Sequence, residues 1–88
     1  MKYYLFTYPN CSRCEDFKAY LSEIKVEAAV HNLVTKESKL KIRDFLSVLK
    51  RDEKGGIIIP TLVVQEQEKV AAVCNSREEF EDWLQSRA

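Results

Sequence analysis

The hydrophobic positions change rhythm several times along the chain, and each change marks an expected element. Lys2 to Tyr8 is a run of aromatic and β-prone residues that stops at Pro9-Asn10, which predicts a strand ending in a turn. From there Cys14, Phe17, Leu21 and Ile24 recur at spacings of three and four, one face of a helix, with Glu15 and Asp16 suited to its first turn. Val26 to Val34 predicts a second strand. Thr35 then caps a long helix whose buried face is Ile42, Phe45, Leu46 and Leu49, and Gly55-Gly56 ends that helical region. Ile57, Ile58 and Ile59 run through Pro60 into a β-branched segment, Thr61 to Gln65, and Lys69 to Cys74 follows a short polar turn as its hairpin partner. Ser76 to Glu79 has capping-box spacing and starts a last helix that buries Phe80, Trp83 and Leu84.

The resulting order is β-α-β-α-β-β-α. The early crossovers favour parallel pairing and the late hairpin is antiparallel, so the expectation is an α/β fold on a mixed four-stranded sheet. With 88 residues, residues 1–88 form a single domain, enough for one core and too few for two. The only glycines are Gly55 and Gly56, the only prolines Pro9 and Pro60, and no repeat or linker interrupts the chain.

Charge narrows the partners. Fourteen basic residues balance fourteen acidic ones, so no excess of positive charge argues for nucleic acid. The apolar run Tyr3 to Tyr8 is shorter than a signal-peptide core and far short of a membrane span, so the expected location is cytoplasmic, with no membrane partner. Three cysteines in a reducing compartment point away from a structural disulfide framework and towards catalysis or metal.

Cys11-Ser12-Arg13-Cys14 lies at the expected strand-to-helix turn. Unpaired N–H groups at a helix start favour negative charge, and so favour the reactive thiolate of Cys11. Cys14 lies one turn on, within reach of it. Cys11 is therefore the expected nucleophile and Cys14 the resolving thiol of a thiol–disulfide exchange. Two buried small side chains, or half of a metal site, would give the same spacing; only Cys74 and His31 remain as further ligands, and no metal is expected. Arg13, between the cysteines, either stabilises the thiolate or contacts an acidic substrate, or is simply an exposed first-turn residue. Tyr8, next to the turn, is a candidate flank of the substrate cleft, and Pro60 interrupts an otherwise excellent strand, which demands an edge, a terminus or special geometry.

The element order, Tyr8-Pro9-Asn10-Cys11-Ser12-Arg13-Cys14 after the first strand, and Gly56-Ile57-Ile58-Ile59-Pro60-Thr61 before the hairpin together resemble the glutaredoxin branch of the thioredoxin superfamily. The resemblance covers essentially the whole chain and implies a thioredoxin-like, glutaredoxin-type fold. It implies that Pro60 is cis and packs beside the cysteine pair, a geometry that peptide bonds adopt almost only before proline. It further implies that Ile59 offers its backbone to an extended substrate, and it sets Cys74 where some members carry a third cysteine, although a buried end-of-strand thiol is the simpler account. The activity implied is reduction of protein or small-molecule disulfides, including glutathione mixed disulfides, by a monomer with no bound cofactor.

Three departures bear on the electron donor. Tyr8 replaces the lysine common before the cysteines, the pair encloses Ser-Arg rather than Pro-Tyr, and Ala72-Val73-Cys74-Asn75-Ser76 lacks the family's Gly-Gly pair. Side chains then stand where backbone would approach glutathione, which argues for a thioredoxin-reductase-type flavoenzyme as donor over glutathione as co-substrate. The Ser76 helix start, with Cys74 and Asn75 before it, remains a candidate anion and substrate contact, and Arg13 can replace the lysine charge. The competing readings are a non-catalytic metal or iron–sulfur module and a redox-sensing partner protein.

Overall fold

The structure, a computed structural model, describes residues 1–87. Its elements are β1 (Lys2–Thr7), α1 (Ser12–Glu23), β2 (Ala29–Asn32), α2 (Lys36–Ile42), β3 (Thr61–Glu66), β4 (Lys69–Cys74) and α3 (Arg77–Arg87), with one 3₁₀ turn at Arg43–Phe45. The strands form one mixed sheet in the order β2-β1-β3-β4; β1 runs parallel to β2 and antiparallel to β3, and β3 and β4 form an antiparallel hairpin.

Alternation along the two central strands divides the core between the faces of the sheet. Leu5, Leu62, Val64 and Cys74 pack with Phe17, Tyr20, Leu21 and Phe80, so α1 and α3 cover one face. Phe6 and Val63 point the other way, towards Leu33, Ile42, Phe45 and Leu49 from α2 and the turns around it. The expected aromatic strand is split the same way: the Tyr3 ring meets Phe80 edge-on at 6.2 Å, whereas Tyr4 and Phe6 lie against Phe45.

The structure is mixed α/β with a four-stranded mixed sheet and three helices, and several boundaries differ from expectation for identifiable reasons. Helix α1 ends one residue before Ile24, which is 38% exposed instead of packed, and Tyr20 takes the inward position beneath the Arg77 guanidinium, 4.8 Å from its ring centre. The ending is a Schellman motif: Lys25 adopts φ +60°, its N–H donates to Ser22 O (3.1 Å), and the Val26 N–H donates to Leu21 O (2.9 Å). Val26 is thereby spent on the helix end, and β2 begins only at Ala29. At its other end the Asn32 carboxamide oxygen accepts from the Val34 N–H (3.1 Å), turning the chain before Val34 can extend the strand.

Thr35 caps α2 as expected, its hydroxyl oxygen accepting from the Ser38 N–H (3.2 Å), but the long helix expected there does not form. After Ile42 the bonds tighten to three-residue spacing, with the Val48 N–H donating to Phe45 O (2.9 Å). Phe45 and Leu49 still face inward, so the apolar face survives although the helix does not. Beyond it Asp52 organises a separate turn, accepting from the N–H groups of Lys54 and Gly56 (2.9 Å each), while Arg51 bridges to Ile57. Gly55, at φ +83°, belongs to that turn and does not end the helix. Ile58 and Ile59 lie outside the sheet, and the Ile59–Pro60 peptide is cis.

Ser76 caps α3, accepting from the Glu79 N–H (3.1 Å). The Glu79 carboxylate reaches back one residue further than a capping box requires, accepting from the Asn75 N–H (3.1 Å) in place of Ser76. Phe80 is fully buried, with Trp83 and Leu84 half-buried at the margin of the same cluster. Among the described residues no helix is long and apolar enough to cross a membrane.

Candidate functional site

The turn between β1 and α1 is built to present one sulfur. Thr7 closes the strand, and Asn10, at φ +55°, reverses the backbone in a conformation asparagine tolerates better than most residues. Cys11 then occupies the N-cap of α1 in extended conformation, φ −111° and ψ 106°. Its carbonyl accepts the first helical bond, from the Glu15 N–H at 3.1 Å, and its Sγ accepts from the Cys14 N–H at 3.1 Å. This is the N-cap position, usually held by a Ser or Asp oxygen, where the unpaired amides of the first turn favour a negatively charged group.

Cys11 and Cys14 stand at disulfide distance, with Cα atoms 5.2 Å apart, inside the range a disulfide can span without moving the backbone. Their environments differ. Cys11 is partly exposed, whereas Cys14 is 2% exposed and faces inward from α1. An incoming sulfur therefore meets Cys11 first.

A cleft of about 330 Å³ lies between the start of α1 and the start of α3, whereas Cys11 lines a separate depression of about 500 Å³ with Asn10, Ser12 and Glu15. Arg13, Asp16 and Phe17 of α1 form one wall of the cleft, and Asn75, Ser76, Arg77 and Glu78 at the start of α3 form the other, with Pro60 between them. Two arginines face two carboxylates, so the cleft carries no strong charge of either sign. Four residues expected from the sequence, Arg13, Pro60, Asn75 and Ser76, thus come together here.

Tyr8 does not join them. It is 50% exposed and lines a separate groove of about 500 Å³ with Leu33, Val34, Lys39, Ile42 and Ile57. The Ile59 side chain packs against the α2 side of the core, and no hydrogen bond among the described residues uses its backbone N–H or C=O. Cys74 is 3% exposed within the α1–α3 core and absent from the cleft lining. Burial, reinforced by the Glu79 carboxylate and opposed by Lys50, pushes its thiol up to about 11, so it is protonated and inert at neutral pH.

Phe17, Asp16, Arg77 and Glu78 are cleft residues that sequence reasoning missed as such. The apolar spacing puts Phe17 on the buried face of α1, and Arg77 and Glu78 directly follow the Ser76 cap, so the converging helix starts are the available signal. Asn75 has a more definite role than its place in the chain suggests. Its side-chain N–H groups donate to Ile58 O (2.9 Å) and Pro60 O (3.1 Å), tying the proline loop to the start of α3. Among the described residues, no group of three or more His, Cys, Asp or Glu side chains is placed to hold a metal ion. No protein-family model matches the chain, and no curated protein matches it.

Proposed function

We propose that this chain is a thiol–disulfide oxidoreductase with a thioredoxin-like fold of glutaredoxin type, reducing disulfides through Cys11 and Cys14. The observation that carries the reading is the asymmetry of the pair: an accessible sulfur at a helix N-cap, hydrogen-bonded by a backbone amide, at disulfide distance from a buried one. The element order, the sheet order β2-β1-β3-β4 and the cis Ile59–Pro60 peptide support it.

The Cys11 thiolate attacks one sulfur of a substrate disulfide. A Cys11–substrate bond forms as the substrate S–S bond breaks, and the released sulfur leaves as a thiolate that takes a proton from solvent. Cys14 then loses its proton and attacks Cys11 Sγ, expelling the second substrate thiolate. Two electrons have passed to the substrate, and the protein is left with the Cys11–Cys14 disulfide. A reduced thiol donor, either glutathione or a thioredoxin-reductase-type flavoenzyme, restores the dithiol. Ala72-Val73 in place of a glycine pair supports the flavoenzyme. In this reading the free Ile59 backbone pairs with an extended substrate segment beside Pro60, as an added strand does at a sheet edge.

Two variants test the mechanism. Cys11→Ser abolishes disulfide reduction, whereas Cys14→Ser retains the first step and accumulates a mixed disulfide with substrate, visible as a mass increment that dithiothreitol removes. Reduction that survives Cys11→Ser would overturn the assignment of the nucleophile.

A further inference from the structure

The proline loop is held by a closed ring of hydrogen bonds, and Asn75 is its hub. The Asn75 carboxamide nitrogen spans the carbonyls on either side of Ile59, donating to Ile58 O at 2.9 Å and to Pro60 O at 3.1 Å. Its backbone N–H donates to the Glu79 carboxylate at 3.1 Å, and the other oxygen of that carboxylate accepts from the Lys50 ammonium. The ring closes where the Ile58 N–H donates to Lys50 O at 3.2 Å.

Two features distinguish the segment between the two carbonyls. Ile59, the residue the amide straddles, is left with its own N–H and C=O unused by any hydrogen bond among the described residues. The Asn75 Oδ1 is buried with no partner. Leaving a buried acceptor unpaired is unfavourable, so the side chain is oriented by what its nitrogen does. Ile58 and Pro60 thus have their carbonyls paired internally, and of these three residues Ile59 is the one whose N–H and C=O are left without a partner among the described residues.

We propose that Asn75 is a positioning residue for disulfide substrates: by fixing the two carbonyls that flank Ile59, it holds the Ile59 peptide groups in the orientation that pairs with an extended substrate segment. This rests on the dithiol reading above and adds to it a role for a side chain that contacts the substrate only through the loop it holds.

The test uses pre-reduced full-length protein and a short synthetic peptide closed by an internal disulfide, followed in single turnover across a range of peptide concentrations. In Asn75→Ala the half-saturating peptide concentration rises about tenfold, the loss expected when a bound backbone segment no longer meets aligned partners, while the limiting rate stays within about twofold. Asn75→Asp, which keeps the shape and removes both donors, behaves the same way and serves if the alanine variant folds poorly. Leu84→Ala, at the half-buried margin of α3, supplies a general loss of stability without touching the ring.

An unchanged half-saturating concentration in both Asn75 variants overturns the proposal. So does an equal rise in Leu84→Ala, which would mark the effect as loss of stability alone. A wild-type protein that fails to reduce the peptide overturns the dithiol reading itself, a result distinct from either.

Discussion

Consider the thiols of the oxidised protein. With Cys11 and Cys14 joined, Cys74 is the one free thiol among the described residues, buried in the α1–α3 core with its ionisation pushed up to about 11. At pH 8 an ordinary thiol with a pKa of about 8.5 is about one quarter ionised. Cys74 is about one part in a thousand ionised at the same pH, so ionisation alone slows its reaction by more than two orders of magnitude. Burial slows it further, because reagent reaches the sulfur only when the core opens. The assay is titration with Ellman's reagent in parallel samples: native oxidised protein releases essentially no chromophore over minutes, and the same protein in guanidinium chloride releases one equivalent at once. A full equivalent released rapidly from native protein would refute both the burial argument and the assignment of Cys74 to the core, and would restore it as a candidate in exchange.

Two further predictions concern stability. Burial, with the nearby Lys41 ammonium, holds His31 below its ordinary value, so as pH falls the unfolded chain takes up this proton before the folded one. Folding free energy from urea titrations should therefore decline as pH drops below about 6.5, and His31→Phe should decline less over the same interval; identical slopes would remove His31 as a cause. Ser76→Ala removes the acceptor for the Glu79 N–H and should cost about 1 kcal/mol, seen as a fall in Tm of about 4–8 °C for a domain of this size, whereas an unchanged Tm would mean that the cap adds nothing.

How much of this was legible in the sequence depended on whether a feature is local. The hairpin strand Lys69–Cys74 and the caps at Thr35 and Ser76 were readable because alternation and capping signals act over a few residues. The same is true of the Cys11–Cys14 turn, marked by Pro9-Asn10 and the apolar face that follows. The end of α1 was not readable, because its left-handed position is held by Lys25, where a glycine would have announced it. The shortening of α2 was hidden for a different reason: Ile42, Phe45 and Leu49 keep helical spacing through a tighter turn, so burial periodicity alone cannot separate the two. At the site, the converging wall from α3 and the Asn75 bridge join residues 15 and 17 positions apart in the chain. No local pattern encodes such a contact. Tyr8 shows the converse, since adjacency in sequence to Cys11 placed it near the turn but not in the cleft beside Pro60.

The back-to-back placement of Leu5 and Phe6 has a consequence for how the molecule opens. These neighbours on β1 are both fully buried, each in a different half of the core, and β1 itself lies between β2 and β3. Neither half can come apart without disturbing that strand, so its amides should exchange with solvent only on global unfolding, while those of Pro60's loop and the Asp52 turn exchange through local openings. The dithiol hangs from the end of β1 and thus from the last segment of the chain to let go. In the proposed function, attack and release at Cys11 would then act on an anchor whose lifetime is that of the whole fold.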